Sequence, residues 1–277
     1  MSSLQDWISE LSPFSLGAVL LVCALAAACF GHVVRAQSDR HQETAGADGT
    51  SDSQEGYVVS AVLGLLALML GFTLAMAVDR FETRRALVLE EANAIGTTYL
   101  RAQLLGEPHR ARLSKLLLEY TDNRIALARA NRSDVPALLA VNDRILTDLW
   151  TATSAAFDTV AQLDFSSSFL DTMNHVIDLD LARKASRLAH VPTEVLILLS
   201  TYIVVTAGVL GYVLTGVRRQ LAGAFLVVLL TSALVLIMDL ERATSGSIRE
   251  AQVPMELLRI SLRSQPPEIF DRWRQAR

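Results

Sequence analysis

The sequence predicts an all-α integral membrane protein: four transmembrane helices, with a cytoplasmic helical bundle inserted between spans two and three. Three observations predict it. Four runs are apolar for about 20 residues, the length a helix needs to cross hydrocarbon. The long segment between the second and third runs repeats its apolar residues at helical spacing, and no alternating strand pattern of useful length occurs. Finally, 51% of the 277 residues are hydrophobic and 19% charged, with a mean hydropathy of +0.34. That balance is too apolar for an ordinary soluble enzyme and too charged for membrane helices alone. A net charge of −4 excludes the cationic excess of a nucleic-acid binder, and the apolar content excludes global disorder.

The expected elements follow in order. Residues 1–13 form a cytoplasmic N-terminus. They carry Asp6 and Glu10 without Lys or Arg, the wrong charge for a secretory signal, so the first apolar run is retained as a span. Span one is 14–34 and includes His32, Cys23 and Cys29; two cysteines in one apolar run make no disulfide framework. Residues 35–56, rich in Ser, Gly, Asp, Glu and Gln, read as an outer polar loop. Span two is 57–78, span three 195–217 and span four 221–238, the last two joined by a tight outer turn at 218–220. Hydrocarbon offers backbone groups no partner, so each run is expected to be helical. Of the 25 Lys and Arg, 21 fall in 1–13, 79–194 and 239–277, and four in 35–56 and 218–220. The positive-inside rule therefore puts both termini and the 79–194 region in the cytoplasm, with Arg218 and Arg219 running against it. Ala67, Gly71 and Ala75, and likewise Ala207, Gly211 and Thr215, stand at four-residue spacing that suits close helix contacts.

In 79–194 the helix of span two is expected to continue into water, because neither Gly nor Pro interrupts it before Gly96. Phe81, Val88, Ala92, Ile95, Tyr99 and Ala102 form one stripe, with Arg85 filling its gap. Further helices are expected at about 107–130, from Asp134 towards Leu163, and from Leu170 to before Pro192, with Ser166, Ser167 and Ser168 breaking or capping. Leu170, Met173, Ile177, Leu181 and Leu188 mark the apolar face of the last. Residues 239–277 form a cytoplasmic C-terminal segment.

Glu90, Asn93, Thr97 and Arg101 recur at steps of three, four and four on a face distinct from the apolar stripe. Such a face suits either the vestibule of a pore or a solvated surface with ordinary helix pairs. Here the chain resembles a known family. Gly71-Phe72-Thr73, then Asp79-Arg80-Phe81-Glu82-Thr83-Arg84-Arg85 and Glu90-Glu91-Ala92-Asn93-Ala94-Ile95-Gly96-Thr97-Thr98-Tyr99-Leu100-Arg101, are similar to the bacterial bestrophin-like domain family of unknown function. Asp239-Leu240-Glu241-Arg242, Gly246-Ser247-Ile248-Arg249 and Gln252-Val253-Pro254-Met255 resemble that family's segment after its last span. Ala243 and Val253 depart from its pattern. The resemblance implies an architecture like that of bestrophins: homopentameric anion channels with four membrane helices per subunit and cytoplasmic termini.

The residues fit such a reading. The spans carry almost no ionisable groups, which disfavours pumps and coupled transporters; a passive channel can gate by apolar constriction with charge at its mouths. Leu70, Phe72 and Met76 are the candidate constriction and Thr73 a candidate hydroxyl. Arg80, Arg84 and Arg85 are candidates to concentrate anions at the inner mouth, although positive flanks more often anchor a helix at headgroups. Asp171, His175 and Asp178 share a helical face as a weak candidate metal site, but one helix offers too few oxygens for calcium, and a solvated acidic face is preferred. There is no Gly-x-Ser-x-Gly elbow, Walker loop or dinucleotide fingerprint, so no enzymatic activity and no cofactor are expected. The expectation is an oligomeric, bestrophin-like ion (anion) channel of the bacterial inner membrane. Its partners are the lipid bilayer, further copies of itself (five, by resemblance) and inorganic ions, with no nucleic acid. The alternative is a non-conducting scaffold or signalling protein whose cytoplasmic helices bind a partner.

Overall fold

The computed structural model describes residues 12–43, 52–131, 133–242, 248 and 250–271. Among them every regular element is helical: α1 (Pro13–Glu43), α2 (Asp52–Ala102), α3 (His109–Arg129), α4 (Val135–Val160), α5 (Phe165–Leu188), α6 (Thr193–Val213), α7 (Val217–Glu241), α8 (Val253–Ser264) and a 3₁₀ turn at Pro267–Asp271. The chain divides into two compact units, Met1–Arg80 with His190–Ile248, and Phe81–Ala189 with Arg249–Arg277.

The first unit holds α1, the N-terminal half of α2, α6 and α7, and among the described residues four helices are long and apolar enough to cross a membrane. Its packing depends on small residues. Gly17, Ala24 and Gly31 stand at seven-residue steps on α1 and are all buried. A Cβ on Gly31 would lie 2.1 Å from the Gly208 carbonyl oxygen, and one on Gly211 would lie 1.9 Å from that of Ala28. Backbone therefore meets backbone where α1 crosses α6, the contact small residues permit in lipid, where dispersion rather than hydrophobic burial holds helices together. The expected stripe at Ala207 and Gly211 lies at this crossing. Its third member, Thr215, lies beyond the end of α6. The stripe at Ala67, Gly71 and Ala75 is exposed on α2, and a Cβ on Gly71 would meet nothing within 4 Å.

Three boundaries differ from expectation. α1 runs on to Glu43 and α2 starts at Asp52, so much of the expected loop at 35–56 is helical; no Gly or Pro occurs in 35–43 to stop α1. The turn between α6 and α7 falls at Leu214–Gly216 rather than 218–220. Gly216 has φ +90°, a left-handed conformation that only glycine adopts without strain. Arg218, Arg219 and Gln220 accordingly form the first turn of α7. Lastly, α5 begins at Phe165, so Ser166, Ser167 and Ser168 lie inside it and the break is the preceding four residues.

The second unit packs the C-terminal part of α2 with α3, α4, α5 and α8 around Val88, Ile95, Tyr99, Leu113, Leu117, Tyr120, Leu149, Phe169, Met173 and Met255. Gly96 does not end α2: a Cβ there would come within 3.3 Å of Leu258 Cδ1, so the glycine admits α8. The gap in the apolar stripe is filled by Arg84, 2% exposed, not by Arg85. On α5, Phe169, Met173, Val176 and Leu179 face inward, whereas Leu181 and Leu188 are exposed.

Candidate functional site

α2 is one uninterrupted helix of 51 residues with two unlike sides. Leu66, Leu70, Thr73, Ala77, Arg84, Val88, Glu91, Ile95 and Thr98 are buried. At 3.6 residues per turn, Leu68, Phe72, Met76, Asp79, Glu90, Asn93, Thr97 and Arg101 fall within about 100° of the opposite circumference. Leu68, Phe72 and Met76 are 54%, 64% and 48% exposed. Asp79, Glu90, Asn93 and Thr97 are exposed too, and Arg101 is half-buried with its Nη1 donating to the Ser168 carbonyl.

This face re-sorts the residues expected to line a pore. Phe72 and Met76 lie on it, and Leu68, four residues before Phe72, joins them. Leu70 and Thr73 do not. Both are 6% exposed, and the Thr73 hydroxyl donates to the Met69 carbonyl at 2.8 Å, within its own helix. The arginines leave the face as well. Arg84 Nε stands 3.2 Å from Glu250 Oε1, with both side chains withdrawn from solvent. Arg80 reaches Glu241 at 3.4 Å. Arg85 is exposed, 3.6 Å from Glu82. Asp79 and Glu90 are carboxylates on the outward face, from which Arg80 and Arg84 turn toward Glu241 and Glu250.

Behind the face, in the second unit, lies a buried ionic network that the spacing arguments overlooked. Glu91, next to outward Glu90, is fully buried. Its Oε1 accepts the Tyr120 hydroxyl at 2.6 Å and lies 2.9 Å from Arg124 Nε, while Oε2 takes Arg183 Nη1. Arg124 Nη1 continues to Asp180 Oδ1 at 3.1 Å. Asn142 Nδ2 donates to the same oxygen at 3.0 Å, and Lys184 Nζ lies 2.7 Å from Asp180 Oδ2. Burial, then the Glu91 charge, push the Tyr120 hydroxyl well above its ordinary pKa, so it remains a donor. Burial pulls Arg124 down, but Glu91, Tyr120 and Asp180 more than offset that and keep it charged. Arg187, 3.8 Å from Glu250, is brought down to about 10 by burial and by the like charge of Arg183. One carboxylate thus joins α2 to α3 and α5, and Asp180 brings in α4. The signal was available: Glu91 falls on the apolar stripe, seven residues after Arg84.

In the motif after the last span, Asp239 and Glu241 bind backbone, while 243–247 and 249 lie outside the described residues. The Val191 N–H donates to Glu241 Oε2 at 2.6 Å, and the Ile248 N–H donates to Asp239 Oδ2 at 3.2 Å. Asp171, His175 and Asp178 are exposed on one face of α5, and no group of three metal-ligating side chains assembles among the described residues.

Residues 18–253 match the family model described as Bestrophin-like domain. Among solved structures, a bacterial bestrophin homologue from Klebsiella pneumoniae with a tryptophan-to-alanine mutation aligns with a TM-score of 0.70. It is 16% identical, over 92% of this chain and 98% of that one. A second crystal structure of a bacterial bestrophin homologue from Klebsiella pneumoniae, phased on zinc, gives 0.64 at 16% identity, over 88% and 97%. At these identities the likeness is one of fold. Curated proteins give no match.

Proposed function

The chain belongs to the Bestrophin-like domain family, and from that premise we propose that it is the subunit of an oligomeric ion channel whose pore is lined by the outward face of α2. The observation that carries this reading is the unpartnered row Leu68, Phe72 and Met76 on a membrane-length helix whose other side is packed. Copies arranged around an axis, five by the family resemblance, would bring these rows together as an apolar constriction that gates by dewetting. Asp79 and Glu90 follow on the same face, where rings of carboxylates would raise the local cation concentration. With Arg80 and Arg84 engaged by Glu241 and Glu250, the fixed charge favours cations over the anions that the resemblance implied. The channel would lie in the bacterial inner membrane, with both termini and the second unit in the cytoplasm.

The test is ion flux from liposomes containing the purified, assembled protein, under sodium, potassium and chloride gradients. Cation flux above that of empty vesicles is expected, and Asp79→Asn with Glu90→Gln should lower the cation-to-chloride permeability ratio. No flux above empty vesicles would overturn the reading, leaving a scaffold; flux with an unchanged ratio would overturn the assigned selectivity.

A further inference from the structure

The ionic network of the second unit holds more positive charge than negative. Among the described residues its cations are Arg84, Arg124, Arg183, Lys184 and Arg187, and the carboxylates they face are Glu91, Asp143, Asp180 and Glu250. One cation is in excess even when exposed Asp143 is counted. The imbalance sits at Glu250, which alone faces both Arg84 and Arg187. The segment 243–249, which leads from α7 to Glu250, contains no Asp or Glu to correct it.

The excess charge coincides with unused donors. Arg124 Nη2 and Arg183 Nη2 are buried and have no hydrogen-bond partner, while the same guanidiniums engage Glu91 and Asp180 through their other nitrogens. Arg187, one turn after Arg183 on α5, is partly open to solvent. It comes no nearer to a carboxylate than 3.8 Å, beyond hydrogen-bonding distance. Burial, and then the like charge of Arg183, bring it down to about 10; Arg124 also acts on it, so the three guanidiniums share one neighbourhood. A water molecule would satisfy the idle N–H groups and leave the charge unbalanced, whereas an anion answers both. The occupant is small, because the two Nη2 atoms are closed to solvent: a halide rather than a phosphate ester.

We propose that the second unit binds one chloride ion among Arg124, Arg183 and Arg187, held by Nη2 of the first two and by the guanidinium of the third. Arg187, the member open to solvent, is where the ion enters. The site lies on the packed side of α2, with Glu91, and not on the outward face. It therefore stands or falls independently of the proposed pore, and a chain that conducts nothing can still hold the ion.

The experiment is thermal unfolding of the full chain in a neutral detergent, with sodium chloride exchanged for sodium gluconate at constant ionic strength. Gluconate is too bulky for the site. Chloride should raise the thermal midpoint by about 5–10 °C at a hundredfold excess over its dissociation constant, and bromide should substitute for it. Arg187→Gln separates an ion-binding role from a structural one. In gluconate it should melt no lower than wild type, because it removes the unbalanced cation. In chloride the order should reverse, because the ion binds about tenfold or more weakly once that charge is gone. Arg85→Gln, an exposed cation outside the network, should keep the full chloride response. A midpoint indifferent to the anion would overturn the proposal and leave water on the two nitrogens. A loss on Arg187→Gln of equal size in both salts would overturn it too, as would an equal loss of response in Arg85→Gln, the mark of a general surface-charge effect. Crystals grown in bromide give a reading that needs no variant: an anomalous peak beside Arg124 Nη2 and Arg183 Nη2 is expected, and peaks at surface cations only would overturn the site.

Discussion

Arg84 and Glu250 form an ion pair with 2% and 5% of their side chains exposed, while Arg85, the next residue, is 61% exposed and reaches only Glu82. Two adjacent arginines of the same basic cluster thus do unlike work. Removing one partner of a buried pair strands the other, at about 3–5 kcal/mol, whereas exposed pairs contribute about 0–1. Arg84→Met should therefore lower the thermal midpoint of the detergent-solubilised protein sharply, and Arg85→Ala should leave it within error. Equal effects would contradict the assignment.

Glu91 holds three side chains at once: Tyr120, Arg124 and Arg183. Glu91→Gln preserves the volume and one acceptor but removes the charge that both arginines face. A loss of about 3–5 kcal/mol is expected, seen as earlier unfolding, with Asn142→Ala, three contacts along the network through Arg124 and Asp180, costing less. Measuring Tyr120→Phe alongside separates the hydrogen bond, worth about 1.5–3 kcal/mol to a charged group, from the charge.

Gly211→Ala should separate α1 from α6, because its Cβ would fall 1.9 Å from the Ala28 carbonyl oxygen, which is backbone and cannot rotate away. Overpacking of this kind costs about 1–3 kcal/mol. Gly71→Ala is the control: nothing lies within 4 Å, and alanine is the better helix former. Detergent thermal stability should fall for the first and hold or rise for the second. A loss at Gly71 would place a neighbouring copy against α2.

Acid should weaken the pair that ties Glu107 to Arg110 in the first turn of α3. Arg110 lies 2.7 Å from both Glu107 Oε1 and Asp271 Oδ1. Hydrogen bonding to Arg110 holds the Glu107 carboxyl below its ordinary 4.5. A carboxylate with a depressed folded pKa contributes stability above the unfolded value and loses it as pH falls through the folded one. The gap in thermal midpoint between wild type and Glu107→Gln should accordingly be full at pH 7 and shrink below about pH 4.5. A gap independent of pH would contradict it.

Phe72→Ala removes the largest side chain of the exposed row on α2 without disturbing the packed side. In reconstituted vesicles it should raise ion flux at unchanged oligomer size, whereas Leu70→Ala, on the buried side, should affect stability before flux. The reverse order would put the pore on the other side of the helix.

The four apolar runs, the helical character of the middle region and the family resemblance were all legible in the sequence, because each rests on local composition or on residues adjacent in the chain. Helix ends were less legible. α6 stops where Leu214 turns extended and left-handed Gly216 leads into α7, whereas Gly96 sits inside α2 and leaves room for Leu258 of α8. The pore candidates divided in the same way: Phe72 and Met76 lie on the outward face, while Leu70, Thr73 and Arg84 lie on the packed one.

By itself, then, the sequence determined which segments must leave water. Hydrophobic transfer sums over contiguous residues, and a run of about 20 carries that information whole. Only the tertiary structure decided which side of α2 is covered. It also decided that Glu91 is buried beside an exposed Glu90, and that Arg84 is paired where Arg85 is not. Those distinctions depend on partners far along the chain, Glu250 at 166 residues from Arg84 and Arg183 at 92 from Glu91. Neighbouring residues about 100° apart on one helix present nearly the same local chemistry and differ only in what the fold sets opposite them.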